Sequence, residues 1–298
     1  MNPNRLLDFF ATHRERAEPL VLATVFETRG STYSKAGAQM LINADGVFRG
    51  MLSGGCLEGD LAVRARVVLE SGDAQIASYD LANDDELWGL GVGCDGLMRI
   101  LLQPLRPEDD YAPFAAIADV LRGHQARQFT IPYEGGSPGE LVFVVEPPPQ
   151  VLVLGAGLDA EPLVRIASEL GWRCTVVDHR PAYIDSGNFT DAVATHCIAA
   201  DELANNLDLS RYRMAIVMSH HLGSDRSYLT QLAETDMRYI GLLGPVNRRK
   251  RLLAEIGPAA SKLEDRLHGP AGLDIGGRGP EVIALSIVAQ MQQEAASR

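Results

Sequence analysis

The spacing of apolar residues changes near residue 150, and the two halves predict two kinds of fold. In the first half the apolar runs are short and mixed. Leu6, Leu7, Phe9 and Phe10 among charges predict an opening helix over 4–16, and the Val-, Leu- and Thr-rich run 20–27 a strand. Runs 38–43 and 47–52 flank Asp45-Gly46, a hairpin-turn pair. From Leu57 the period becomes helical, with Leu57, Leu61 and Val68 on one face and Gly72 as the stop. Strands follow at 75–79 and 97–103, a helix over 111–122, and strands at 128–132 and 141–145. Glu146-Pro147-Pro148-Pro149-Gln150 is a stiff, extended linker.

Beyond the linker, Val151-Leu152-Val153-Leu154 is apolar at every position, as a strand buried on both faces requires. Gly155-Ala156-Gly157-Leu158-Asp159-Ala160 follows, then a helix to Leu170 and a second apolar strand over 174–178 that ends in Asp178, 23 residues after Gly155. This is the βαβ fingerprint of a dinucleotide-binding Rossmann fold, with alanine at the third glycine position. Strands at 192–197, 214–219 and 239–243 alternate with helices at 202–207, 225–234, 247–256 and after Pro280. The predicted fold class is α/β: an N-terminal mixed α+β domain, 1–145, a linker, 146–150, and a C-terminal Rossmann-like domain with a mainly parallel sheet, 151–298.

Composition narrows the function classes. The chain has 298 residues, 46% of them hydrophobic, and a net charge of −12, which argues against a nucleic-acid or anionic-membrane surface. No apolar run approaches about 20 residues, so no membrane span is expected. Residues 1–18 lack a long apolar run, so no secretory signal is expected either. Cys56, Cys94, Cys174 and Cys197 lie far apart, which argues against a disulfide framework and a structural zinc site and for a reducing compartment.

The candidate chemistry centres on Ser53-Gly54-Gly55-Cys56, between a strand and a helix. Glycines there permit close approach, the N–H groups of the helix start can face an anion, and the thiol sits at the positive end of the helix dipole. Loop 28–37 carries Arg29, Ser31, Thr32 and Lys35, side chains that suit an oxyanion, and the hairpin brings it towards the Cys56 loop. Cys94 lies in Trp88-Gly89-Leu90-Gly91-Val92-Gly93-Cys94-Asp95-Gly96, too glycine-rich for an ordinary helix or central strand. Cys174 and Cys197 fall in strands and read as core. In the second domain Gly155 and Gly157 suit a pyrophosphate and Asp178 a ribose diol, whereas Arg180 suits a phosphate, so NAD and NADP both stay open. His220 and His221 follow a strand at its ligand-binding end, with Asp225 as an orienting partner or a helix cap. Basic residues 248–251 read as a solvated helix face or a phosphate grip. The run 268–278 is too glycine-rich for an ordinary connection, and a long ordered loop just before a helix is often functional.

Taken together, Gly30-Ser31-Thr32-Tyr33, Gly37, Ser53-Gly54-Gly55-Cys56-Leu57-Glu58-Gly59, the 88–96 segment, Gly155-Ala156-Gly157, Asp178-His179-Arg180-Pro181, Gly241-Leu242-Leu243-Gly244-Pro245 and His268-Gly269-Pro270 with Gly272-Leu273-Asp274-Ile275-Gly276 resemble the XdhC/CoxI family, accessory factors of molybdenum hydroxylases such as xanthine dehydrogenase. The chain departs from the family pattern at Leu158-Asp159-Ala160-Glu161-Pro162 and at 219–225. The resemblance implies a cytoplasmic chaperone, rather than a multiple-turnover enzyme. Such a protein binds the molybdenum cofactor as molybdopterin or its dinucleotide form, supports its sulfuration by a cysteine desulfurase, and delivers it to an apo molybdenum hydroxylase. It implies a molybdenum or sulfur contact at Cys56 or Cys94, oxyanion contacts in loop 29–35, and a homodimer. The alternative readings are an NAD(P)-dependent oxidoreductase, for which His220 or His221 is the available base, and a nucleotide-sensing regulator.

Overall fold

A computed structural model describes residues 2–80, 96–133 and 139–296. The chain divides into two units, 1–147 and 148–298. Cys94 and residues 88–95 of the glycine-rich run lie outside the described residues.

The first unit runs α1 (Pro3–Glu15), β1 (Leu20–Arg29), β2 (Gln39–Asn43), β3 (Phe48–Gly50), α2 (Glu58–Ser71), β4 (Gln75–Asp80), β5 (Leu97–Leu105), α3 (Phe114–Arg122), β6 (Arg127–Tyr133) and β7 (Gly139–Val145). The first five strands form an antiparallel sheet in the order β3-β2-β1-β5-β4, and β6 pairs with β7 in a separate hairpin. Strand alternation sorts the sheet's side chains into two cores. Val21, Ala23 and Val25 pack with Leu57, Leu61, Ala65 and Val68 around α2. Leu20, Leu22, Leu41 and Leu105 pack with α1 and α3, where the Phe10 and Phe114 rings meet edge-on at 5.0 Å.

The 47–52 strand expected from the apolar run is shorter. It stops at Gly50, whose φ of +108° and close approach to β2 leave no room for a side chain: a Cβ would lie 2.6 Å from the Gln39 carbonyl oxygen. The chain thereby turns into the Ser53–Cys56 loop two residues early. Gly72 ends α2 in the left-handed conformation, as its position predicts.

The second unit runs β8 (Gln150–Leu154), α4 (Ala160–Glu169), β9 (Arg173–Asp178), α5 (Pro181–Ile184), β10 (Ala194–Cys197), α6 (Leu203–Asn206), β11 (Met214–Val217), α7 (Leu222–Leu232), β12 (Tyr239–Leu242), α8 (Val246–Ile256), β13 (Leu267–His268) and α9 (Pro280–Ala296). Its strands are all parallel, in the order β10-β9-β8-β11-β12-β13. Counted from β8 this is 3-2-1-4-5-6, the dinucleotide-fold order, with its switch point between β8 and β11. Gln150, assigned to the linker by composition, opens β8. One face of the sheet is covered by α4 and α9, the other by α6, α7 and α8. The two-residue strand β13 is too short to show a pattern in sequence.

Cys174 is fully buried, as expected, but Cys197 is exposed. It ends β10, an edge strand, where side chains lack a neighbouring strand on one side. Its apolar character in sequence concealed that position.

The aromatic contact under the first sheet carries a testable cost. Phe114→Ala should lower unfolding stability by about 3–5 kcal/mol, measured by urea denaturation.

Candidate functional site

The Ser53–Cys56 loop is built around a carboxylate. Glu58, the first residue of α2, is 2% exposed and turns back into the loop. Its Oε1 accepts the backbone N–H groups of Leu52 at 2.8 Å and Ser53 at 2.9 Å. Its Oε2 accepts the Ser53 hydroxyl at 2.5 Å and the Gly55 N–H at 3.0 Å. The Ser53 oxygen in turn accepts the Leu57 N–H at 2.7 Å. Burial pushes this carboxyl up, but the hydrogen bonds from Ser53 and Leu52 outweigh it and hold Glu58 below the usual carboxylate range. Sequence reasoning read Glu58 only as part of a motif. The available signal was a first-turn acid five residues after a serine, with two glycines between them.

This changes what the loop offers. The Ser53 hydroxyl and the N–H groups of Ser53 and Gly55, which suited an external anion in sequence, point inward to Glu58. Gly54 and Gly55 are exposed, with φ of +79° and +113°, so the outer surface of the loop is bare backbone beside the half-buried Cys56.

The structure brings loop 29–35 against this loop. A Cβ on Gly54 would lie 3.3 Å from the Tyr33 ring, and the Ser34 hydroxyl donates to the Met51 carbonyl at 3.4 Å. Thr32, nearly buried, donates to the Ser34 carbonyl at 2.8 Å and fixes the turn. Arg29 is largely exposed and pairs with Glu27 at 2.8 Å, while Ser31 and Lys35 are exposed. A third segment joins them. Gly96, at the start of β5, fits so closely under loop 29–32 that a Cβ would lie 2.5 Å from the Ser31 carbonyl oxygen. Tyr33 and Glu58 are the residues of this site that sequence reasoning did not single out.

In the second unit the glycine loop is locked in place. Gly155 has φ +124°, and a Cβ there would lie 2.5 Å from the Met218 carbonyl oxygen, so β8 and β11 leave their crevice as backbone against backbone. Asp178 is 1% exposed and accepts the Ala156 N–H at 2.8 Å. It also accepts the backbone N–H and the guanidinium of Arg180, at 2.7–2.9 Å. Burial pushes Asp178 up, but the bonds from Arg180 and Ala156 prevail and hold it below the usual range. Asp178 therefore closes the loop internally.

His220 and His221 part company, as adjacent histidines must. His220, at φ +59°, binds Asp159 at 2.8 Å across the crevice between β8 and β11. Segments 158–162 and 219–225 thus meet at this pair. His221 caps α7 by accepting the Ser224 N–H at 3.2 Å. Asp225 orients neither histidine. It accepts the Ser219 hydroxyl at 2.5 Å and the Arg248 guanidinium at 2.6 Å. Arg251 pairs with Glu255, so two of the four clustered basic residues at 248–251 are occupied by acids within the unit.

Run 268–278 is anchored rather than open at its start: His268 stacks on Tyr239 at 4.6 Å, and the Gly272 N–H donates to Gln290 at 2.8 Å. A cavity of about 580 Å³ near Arg213 and Arg238 lies at the opposite, amino end of this sheet and holds none of these residues. Among the described residues, no cluster of three or more His, Cys, Asp or Glu could hold a bare metal ion, and no helix is long and apolar enough to cross a membrane.

Comparison with known proteins agrees with both units. A family model described as "XdhC and CoxI family" matches residues 13–80, and one described as "XdhC Rossmann domain" matches residues 151–291. A protein of Bacillus subtilis (strain 168), named as a probable xanthine dehydrogenase subunit, is 31% identical, over 98% of this chain and 97% of that protein. The Escherichia coli (strain K12) protein named "Molybdenum cofactor insertion chaperone PaoD" is 22% identical, over 91% of this chain and 82% of its own length. A crystal structure from Bacillus halodurans, described as a xanthine dehydrogenase, superposes with a TM-score of 0.85 at 31% identity, covering 98% of this chain and 96% of that one.

Because Glu58 is held below its ordinary value, the stability it contributes is complete above that ordinary value, 4.5, and is lost as pH falls through the lower folded-state value. Glu58→Gln should remove this part of the acid dependence. At neutral pH it should speed amide hydrogen exchange across residues 50–60 by about tenfold or more, read by mass spectrometry.

Proposed function

The chain belongs to the XdhC and CoxI family, and from that premise we propose that it is an accessory factor that holds the molybdenum cofactor and passes it to a xanthine dehydrogenase-type molybdenum hydroxylase. The observation that carries this reading is the meeting of the Cys56 loop, where a half-buried thiol stands beside bare glycine backbone, with Tyr33 and Ser34 of the segment that bears Arg29 and Lys35. The relative named as a molybdenum cofactor insertion chaperone supports the same assignment.

The residues divide the work by their chemistry. Cys56 supplies one soft donor, which suits a metal that arrives already chelated by a dithiolene. Gly54 and Gly55 let the cofactor approach the backbone closely. The phosphate goes to Arg29, Lys35 and Ser31, because the inner donors of Ser53 and Gly55 are held by Glu58. Glu58 and Thr32 position the two loops without touching the cargo. In this reading a cysteine desulfurase sulfurates the bound cofactor before delivery in the cytoplasm, and the chain acts as a maturation factor without multiple turnover.

Protein purified from cells that make the cofactor should contain molybdenum and pterin, measured by elemental analysis and by fluorescence of the oxidised pterin. Absence of both would overturn the proposal. Cys56→Ser should retain about tenfold less molybdenum, the loss expected for about 1.4 kcal/mol of contact energy. Unchanged retention and unchanged activation of the client enzyme would remove Cys56 from the site.

A further inference from the structure

Asp178 ends the second strand of the dinucleotide fold, where such folds hold a ribose diol. In this chain its two oxygens are already committed. Oδ1 accepts the Arg180 backbone N–H and Nε–H, both at 2.9 Å. Oδ2 accepts the Ala156 N–H at 2.8 Å and the Arg180 Nη2–H at 2.7 Å. Four donors saturate a carboxylate, so a diol could bind only by displacing one of them.

The group presented there is the guanidinium of Arg180. It is one-third exposed, and its carbon lies 3.7 Å from the centroid of the Tyr183 ring, at the start of α5. The stacking and the bidentate grip on Asp178 fix its plane before any ligand arrives. Its Nη1 N–H groups have no partner among the described residues. These are the donors with which arginine recognises a phosphate.

A second observation points to the same place. Tyr228 on α7 is fully buried, yet its hydroxyl has no partner among the described residues. It lies close enough to Asp178, Asp225 and Arg180 for their charges to act on it. A buried hydroxyl of this kind calls for a polar group from a ligand or solvent. The charge at the carboxyl end of β9 thus suits a ligand richer in oxygen than a bare diol, and the Tyr228 hydroxyl adds an unmet polar group in the field of the same residues.

We propose that the Rossmann unit binds a nucleotide whose ribose carries an additional phosphate on its 2′- or 3′-hydroxyl, gripped by Arg180, and that the Asp178–Arg180 pair discriminates against the free ribose diol. Arg180 is then the specificity-determining residue, and Tyr183 and Asp178 position it. The proposal does not depend on the identity of the cargo in the first unit, because its test uses no molybdenum.

Isothermal titration of the full chain with 2′,5′-ADP, 3′,5′-ADP and ADP compares probes of similar size and charge that differ in where the phosphate sits. NADP+ against NAD+ repeats the comparison on whole dinucleotides, and the two ribose-phosphate isomers separate a 2′- from a 3′-phosphate ligand. At least one ribose-phosphorylated probe should bind about tenfold tighter than ADP, as one added charge-assisted contact predicts. Arg180→Ala frees Asp178, so it should lose that preference and gain affinity for ADP and NAD+. Tyr183→Ala, which leaves the Asp178 contacts in place, should weaken the ribose-phosphate probes alone. Equal or tighter binding of ADP by the unsubstituted protein, or no binding of any probe, would overturn the proposal even if Arg180→Ala failed to fold.

Discussion

A buried carboxylate must be met by donors, and both units organise a loop around that requirement. In the first, Glu58 has no cation among its partners in the described residues: they are three backbone N–H groups and one hydroxyl. In the second, Asp178 gathers one N–H from the glycine loop and the rest from Arg180. The acids stand at opposite ends of their elements, one opening a helix and one closing a strand. Each converts a glycine-rich segment, which would otherwise sample many backbone states, into a single shape. An unmet acid in either place would cost far more than any one of these bonds contributes, so shape and satisfaction of the charge are the same problem.

The requirement also decides what is left for recognition. Donors turned inward cannot serve a ligand, so what each loop leaves facing outward is side chain rather than backbone N–H: Arg29 and Lys35 in one unit, the outer edge of Arg180 in the other. The same exchange appears at the switch point. Asp159 and His220 engage each other across the crevice at 2.8 Å, and His220 holds a left-handed backbone to do so. Strain of this kind costs on the order of 1 kcal/mol and persists only where the surroundings fix it.

How much of this was legible in sequence follows from the range of each interaction. The Rossmann unit was readable because its signals are local: an all-apolar strand, two glycines, and an acid at the end of the next strand. The hairpin, α2 and the convergence of loop 29–35 with the Cys56 loop were readable for the same reason. Glu58 was not, since a first-turn acid looks alike whether it faces water or turns back into a loop. Asp178 was found but its state was not, because nothing in Asp178-His179-Arg180 says whether Arg180 folds back or reaches out. Cys197 was misplaced because edge and central strands differ in their neighbours and not in their composition. Segments 158–162 and 219–225 look unrelated in sequence; only the fold shows Asp159 and His220 as halves of one contact.

The pairing of α4 with α9 sets the order in which the second unit can be finished during synthesis. Ala160, Leu163, Val164 and Ala167 of α4 lie in one core with Ala284, Ile287, Val288 and Met291 of α9. About 110 residues separate the two helices. At roughly 5–20 residues per second, the apolar stripe of α4 waits about 5 to 20 s for its partner. The first unit has all its elements in hand by then. Until α9 is made, one face of the Rossmann sheet is covered by α4 alone, and over that interval the apolar surface meant for α9 is open to non-native contacts.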